Sequence, residues 1–177
     1  GSLSNADPAA EYPATVLALD ATLVAQSIRG ERTISAAAFL DGVMTTTLEP
    51  DEILTEIRVP RALPGSGSAL VEISRRHGDF ALAGVAAQIA LDGDSVTDIR
   101  LAACGVGPGP IRLTESEMIL RARGLSDDAL AAAGDAAAAA ADPDSDVHAT
   151  AAYRRKMAGV MTKRAVEKAA ARARQIA

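Results

Sequence analysis

Apolar and polar positions change rhythm several times along the chain, and each rhythm predicts a different kind of element. The opening Gly1-Ser-Leu-Ser-Asn-Ala-Asp-Pro8 has no periodicity and reads as a loop. Residues 9–19 carry helix-spaced apolar positions, with Pro13 tolerated in the first turn, and predict a short helix. Residues 22–27 read as a strand, Arg29-Gly30 as a turn before Arg32-Thr33-Ile34, and Ser35 as the N-cap of a short helix over 36–40. Residues 53–59 alternate as a half-buried strand does, and Pro60 ends it. The Gly-, Ser- and Pro-rich stretch 61–68 predicts a linker, with the domain boundary at 63–65.

Beyond the linker the pattern becomes that of a small sheet. Residues 69–74 and 81–91 read as strands. Asp92-Gly93 is a hairpin signal, and residues 95–104 return as a third strand, giving a three-stranded antiparallel unit. From Thr114 the chain is helical. Thr114-Glu-Ser-Glu117 matches a capping box for a helix to about Arg123, stopped by Gly124, and Ser126 caps a second helix over 127–141. A third helix runs from about residue 149 to the end, with Tyr153, Met157, Val160, Met161 and Ala165 on one face. A short sheet followed by three helices predicts an α+β domain.

Composition changes this picture in one respect. Hydrophobic residues make up 49% of the 177, but alanine dominates them and there are only two Phe, two Tyr and no Trp. Such side chains bury little area each, so the core has to rely on close packing and on neighbouring surfaces. A formal charge of −5 argues against nucleic acid as a partner. One Cys excludes an internal disulfide and, with only two His, leaves little material for a metal site. The sequence shows neither a basic n-region nor an apolar run of about 20 residues, so a cytoplasmic location without a transmembrane segment is expected.

Several segments carry groups capable of chemistry. Gly105-Val-Gly107-Pro-Gly109 follows a strand and precedes a helix, but the two prolines remove donors that a phosphate cradle needs and no βαβ frame surrounds it. A rigid connector is the better reading. Asp142-Pro-Asp144-Ser-Asp146 opens like a calcium loop, yet Val147 stands at the glycine position and Tyr153 at the bidentate Glu, so no metal is assigned. The basic residues of the last helix read as a solvated face, with a docking patch as the alternative. Cys104, at the end of an apolar strand, predicts a buried inert thiol. Arg75-Arg-His-Gly-Asp-Phe80 is a charged corner between two strands. Gly1, Ser2, Ser4 and Asn5 offer backbone N–H groups and short polar side chains suited to a phosphate or a ribityl chain.

Taken in order, the motifs Gly1-Ser-Leu-Ser-Asn-Ala-Asp-Pro8, Leu17-Ala-Leu-Asp-Ala21, Gly30-Glu-Arg-Thr-Ile34, Leu48-Glu-Pro-Asp-Glu-Ile-Leu54, Arg75-Arg-His-Gly-Asp-Phe80, Gly105-Val-Gly-Pro-Gly-Pro-Ile-Arg112 and Ala152-Tyr-Arg-Arg155 span the chain. Together they resemble the FAD-binding medium subunit of molybdenum hydroxylases, the aerobic carbon monoxide dehydrogenase and xanthine dehydrogenase family, in its C-terminal portion. The resemblance implies a partial FAD-binding (PCMH-type) α/β subdomain over 1–62, a link at 63–65, and the C-terminal α+β domain of the flavin subunit over 66–177, its sheet within 69–104 and its helices within 114–177. The preceding half of the flavin domain, with its Gly-rich pyrophosphate loop, is expected to lie outside this sequence.

Carried over position by position, Gly1, Ser2, Ser4 and Asn5 would face the FAD phosphates and ribityl chain, and Glu11 would hydrogen-bond the cofactor. Leu54 would pack near the isoalloxazine, and Asp79 and Phe80 would lie on the loop beside that ring. Val71 and Glu72 stand where the family frequently has a Lys. The implied function is electron storage on FAD, received from iron–sulfur clusters and passed to an external acceptor. The implied partners are a molybdenum-cofactor large subunit and an iron–sulfur small subunit, in the cytoplasm or peripheral to the inner membrane face. No residue is expected to act as a catalytic acid, base or nucleophile. A non-catalytic assembly module that binds no flavin is the alternative.

Overall fold

Two antiparallel sheets follow one another along the chain in the computed structural model, which describes residues 1–176. Ala177, at the end of the expected last helix, lies outside the described residues. The first part runs α1 (Ser2–Asn5), α2 (Glu11–Ala18), β1 (Thr22–Ser27), β2 (Gly30–Ser35), α3 (Ala36–Phe39) and β3 (Ile53–Arg58), with strand order β2-β1-β3. Strand β1 is central, so Leu23, Val24 and Ala25 are all buried, and Leu3, Val16, Ile34 and Phe39 close over Leu23 and Ala25. Ser35 caps α3 as its sequence predicts, its Oγ accepting from Ala38 N at 3.3 Å.

Two expectations fail in this part. The opening segment is a turn of helix rather than a loop: Asn5 N donates to Gly1 O at 2.9 Å, and Ala6 ends the turn at φ 51°. The cause is Leu3, the one large apolar residue in a polar stretch, which is drawn into the core at 4% exposure. Strand β3 is not half-buried. It forms a sheet edge with Ile53 70% exposed, and among its residues only Leu54 is partly buried. Alternation reports which residues share a face, and here that face has nothing packed on it.

The second part contains β4 (Ser66–Ile73), β5 (Ala83–Asp92), β6 (Ser95–Cys104) and β7 (Ile111–Arg112), then α4 (Thr114–Arg123), α5 (Asp127–Ala140) and α6 (Ala151–Ile176). The sheet has four strands rather than three, because Ile111 and Arg112 pair with Ala103 and Ala102 on the free edge of β6. Strand β4 also starts inside the expected linker: Leu91 N donates to Gly65 O at 3.0 Å and extends the ladder to Ser66.

Strand β5 is buried from Ala83 through Leu91, because both faces of the sheet are covered. Helices α4 and α6 cover one face, with α5 packed against both of them, and α2 from the first part covers the other, joining Ala14, Leu17 and Ala18 to Ala86, Ala102 and Cys104 in one apolar cluster. The C-terminal end of α2 is held by two cations from the sheet. Arg112 Nη1 donates to Leu17 O at 3.3 Å and to Asp20 Oδ1 at 2.6 Å, and Arg100 Nη1 donates to Asp20 Oδ2 at 3.3 Å. Positive charge at a helix C-terminus is favourable, so the two parts are joined electrostatically as well as by methyl contacts.

The helices also depart from expectation. Ser126 caps α5, accepting from Ala129 N at 3.3 Å, but the Thr114–Glu117 capping box does not form. Glu117 is instead 6% exposed and accepts from Leu101 N at 2.7 Å and from Arg112 Nε. Helix α6 packs through Ala158, Met161, Ala165, Val166, Ala169 and Ala173, while Tyr153 is 39% exposed and falls off this stripe. Its basic residues are not uniformly a solvated face. Arg154 is buried, Arg155 pairs with Asp142, Arg172 Nη1 donates to Ser68 O at 2.5 Å, and Arg174 pairs with Asp94.

Candidate functional site

A cleft of about 520 Å³ opens where the two parts meet. One wall is the opening segment at Asp7–Ala9 together with Val43, and another is Phe80–Leu82. The floor is the glycine turn at Gly105–Pro108, and the far rim is the acidic loop ending in His148. Each wall is placed by backbone contacts. Asp7 Oδ1 accepts from Ala9 N at 2.9 Å, which turns the chain at Pro8, and Pro8 O then accepts from Gly105 N at 2.8 Å. Gly105 has φ +73°, and a Cβ there would lie 2.7 Å from Ala81 O, so only glycine lets the turn lie against the Phe80–Leu82 wall. Asp142 N donates to Val106 O at 2.9 Å and fixes the far rim to the floor. Val43 reaches the cleft because the next residue, Met44, is bonded through its N to Ala6 O at 3.2 Å.

Phe80 projects at the mouth with 59% of its surface exposed. Asp79 beside it has a buried Oδ2 that takes no hydrogen bond among the described residues, and the nearest cation, Arg75, stands 3.9 Å away. On the rim, Asp146 Oδ1 accepts from His148 N at 2.8 Å and Ala149 N at 2.9 Å. The N–H groups of Ala149 and His148 hold the Asp146 carboxyl below the usual carboxylate range. Its Oδ2 accepts from Arg154 Nη2 at 2.6 Å. The oxygens expected of a calcium loop are thus partly spent on protein partners, and among the described residues no group of three His, Cys, Asp or Glu is arranged to hold a metal.

The residues singled out from the sequence fall in several places. Gly1 is the N-cap of α1, without a side-chain cap, and Ser2, Ser4 and Asn5 are exposed on that turn, with Asn5 Nδ2 3.9 Å from Met44 Sδ. They share the opening segment with Asp7–Ala9, which lines the cleft, but do not line it themselves. Phe80 lines the cleft, whereas Asp79, its neighbour in the chain, does not. Glu11 opens α2 at half-burial, and its charge adds to burial in pushing the Glu72 carboxyl up; Glu72 Oε2 also has no partner among the described residues. Leu54 packs against the Leu3–Phe39 core, away from the cleft lining. Burial pushes the Cys104 thiol up to about 12, consistent with an inert core residue.

Sequence reasoning misses Val43, Asp146 and Arg154 as neighbours of the site. For Val43 nothing local marks it, and Asp146 stands out only as part of the acidic Asp142–Asp146 run, whose spacing does not say that it closes onto a cleft. For Arg154 the Ala152-Tyr-Arg-Arg155 motif is a signal, but it does not say which arginine turns inward.

Comparison with known proteins identifies both parts. Residues 1–62 match the FAD binding domain in molybdopterin dehydrogenase, and residues 68–169 match the CO dehydrogenase flavoprotein C-terminal domain. The chain is 42% identical over 175 residues to the 6-hydroxypseudooxynicotine dehydrogenase complex subunit alpha of Paenarthrobacter nicotinovorans, covering 98% of this chain and 59% of that protein. It is 36% identical to the carbon monoxide dehydrogenase medium chain of Hydrogenophaga pseudoflava, covering 97% of this chain and 60% of that one. The solved carbon monoxide dehydrogenase of that organism, in a form lacking the Mo-pyranopterin moiety, superposes with a TM-score of 0.94 at 37% identity, over 97% of this chain and 60% of that one. Quinoline 2-oxidoreductase of Pseudomonas putida 86 does so with a TM-score of 0.90 at 31% identity, over 98% and 60%. The chain thus spans about 60% of the length of the relatives it matches. On these matches and on the α+β architecture, the chain belongs to the FAD-binding, CO dehydrogenase flavoprotein family of molybdopterin dehydrogenases.

Proposed function

We propose that this chain is part of the FAD-carrying subunit of a molybdenum hydroxylase, passing electrons from iron–sulfur clusters through FAD to an external acceptor. The observation that carries the reading is that the opening segment and the Phe80 loop, far apart in sequence and assigned to different family domains, form two walls of one open cleft. Residues 1–62 would be the flavin-domain portion, 63–65 the link, and 66–177 the C-terminal domain.

The residues present fit the cofactor. Phe80 offers an exposed aromatic face for a planar ring at the mouth of the cleft, and Asp79 precedes it with an Oδ2 that takes no hydrogen bond among the described residues. Gly107 lines the cleft without a side chain and leaves its backbone open to a ligand. Gly1, Ser2, Ser4 and Asn5 would meet the phosphates and ribityl chain, Glu11 would bond the cofactor, and Leu54 would support the ring indirectly, through the core beneath the opening turn. When bound, FAD supplies reversible storage of electrons. The chain's own part is to orient the ring, exclude water from one side of it and leave another side open. Substrate chemistry would belong to a molybdenum large subunit, and electrons would arrive through an iron–sulfur small subunit, in the cytoplasm or at the inner membrane face.

The test is direct. The protein, purified alone and with the products of its neighbouring reading frames, should carry the visible absorbance of a flavin and release FAD on denaturation. An intact complex that releases no flavin on denaturation would refute the proposal and leave an assembly module.

A further inference from the structure

We propose that Arg154 is a positioning residue for the flavin, clamping the Phe80-bearing wall to the opening segment; this rests on the flavin reading above. Arg154 is 8% exposed and belongs to the first turn of α6, yet its side-chain bonds all go to other segments. Nη1 donates to Leu82 O at 2.9 Å and to Gly105 O at 3.2 Å, and Nη2 donates to Asp146 Oδ2 at 2.6 Å. The two carbonyls lie 72 and 49 residues away in sequence and belong to one wall and to the floor of the cleft.

Gly105 is the junction. Its N–H holds Pro8 of the opening segment, its bare Cα lies against Ala81 O, and its carbonyl is held by Arg154. Phe80 has little packing of its own, being 59% exposed, so its position is set by the backbone of Ala81 and Leu82. Leu82 is fixed on both sides of its peptide unit, by N–H to Ile73 O at 2.8 Å and by its carbonyl to Arg154. The guanidinium therefore determines how far the aromatic ring stands from Pro8. A planar fork is needed because donors must reach two carbonyls and a carboxylate at once, and the cost is a buried Nε with no partner among the described residues. Asp146, itself held by two backbone N–H groups, balances the charge that burial would otherwise disfavour.

The test uses the intact complex with Arg154→Met, Arg154→Lys, Asp146→Asn, Phe80→Ala and the Arg154→Met/Phe80→Ala pair. Two quantities are read: the flavin dissociation constant, and amide exchange of residues 79–82 in flavin-stripped complex. Arg154→Met should raise the dissociation constant about tenfold or more, as expected for loss of charge-assisted hydrogen bonds. It should also speed exchange in 79–82. Because Arg154 acts through Phe80, the double variant should bind flavin no more weakly than the worse single one, and Arg154→Lys should recover part of the loss. Independent, multiplicative effects, or unchanged exchange in 79–82, would overturn the proposal. If Arg154→Met does not accumulate, Asp146→Asn and Arg154→Lys must show smaller losses that are likewise non-additive with Phe80→Ala; additive losses would overturn it. A wild-type complex without flavin would sink the flavin reading instead, and the exchange measurement would still decide whether the clamp exists.

Discussion

Replacing Gly67 by alanine tests how tightly the main core is closed. The added Cβ would lie 2.1 Å from Ala169 O and 2.4 Å from Ala173 N, both backbone atoms of α6 that cannot swing aside. Restoring contact requires helix and strand to separate by roughly 1 Å. The seam there is made by Ala165, Val166, Ala169, Ala170 and Ala173, small side chains that contribute about 0.8 kcal/mol per buried carbon. A gap of about 1 Å forfeits roughly a quarter to a half of such contact. With strain left in β4, the expected destabilisation of Gly67→Ala is about 2–4 kcal/mol. Urea unfolding of the intact protein followed by circular dichroism reads this as a lower midpoint at unchanged slope. Gly109→Ala is the control, since a Cβ there meets nothing within 4 Å and its φ is not positive; its effect should stay within about 0.5 kcal/mol. Equal midpoints for the two variants would refute the close-packed seam.

Three further outcomes are expected. Glu117→Ala should destabilise by about 3 kcal/mol in the same assay, because it leaves buried Leu101 N without an acceptor, while Arg112, with 24% of its side chain exposed, keeps Asp20; a loss below about 1 kcal/mol would contradict it. Cys104 should resist thiol-specific labelling in the folded protein at pH 8 and react fully once unfolded, since burial pushes its thiol up to about 12; prompt labelling of native protein would show that the strand end opens. Glu52 is pulled down to about 2 by the Arg32 guanidinium and the Glu49 N–H, so the stabilisation it gives is present above the ordinary carboxylate pKa and is lost as pH falls toward 2. Carboxyl carbon NMR should show that midpoint, and Glu52→Gln should flatten the acid limb of the stability curve; a Glu52 midpoint near 4.5 would contradict the pair.

What was legible in the sequence was whatever depends on neighbours within a few residues. Strands β1 and β6, the Asp92-Gly93 hairpin and the Ser35 and Ser126 caps follow from local chemistry and stand where that chemistry puts them. The capping box failed because a distant donor outbid a local one: Glu117 is taken by Leu101 N and Arg112. Strand β7 is two residues long and exists only because β6 has a free edge beside it, which no pattern of two residues can announce. The exposure of β3 and the offset of Tyr153 from the buried stripe have the same origin, since periodicity gives a face but not what covers it. At the cleft, the charged Phe80 corner and the glycine turn were visible as unusual segments. Their convergence on Arg154 was not, because the Ala152-Tyr-Arg-Arg155 motif does not tell which of its two arginines turns inward or what it meets there.

Helix α2 has a practical consequence for anyone dissecting this molecule. Its Ala14, Leu17 and Ala18 form the outer skin of the second sheet, and its last carbonyls are gripped by Arg100 and Arg112. Scissors placed at 63–65 would therefore strip the cover from Ala86, Ala102 and Cys104 and leave two arginines without their carbonyl acceptors. Chimeras that exchange the C-terminal half between relatives should carry residues 11–20 along as a graft, or they will trade a seam of methyls for a sticky patch.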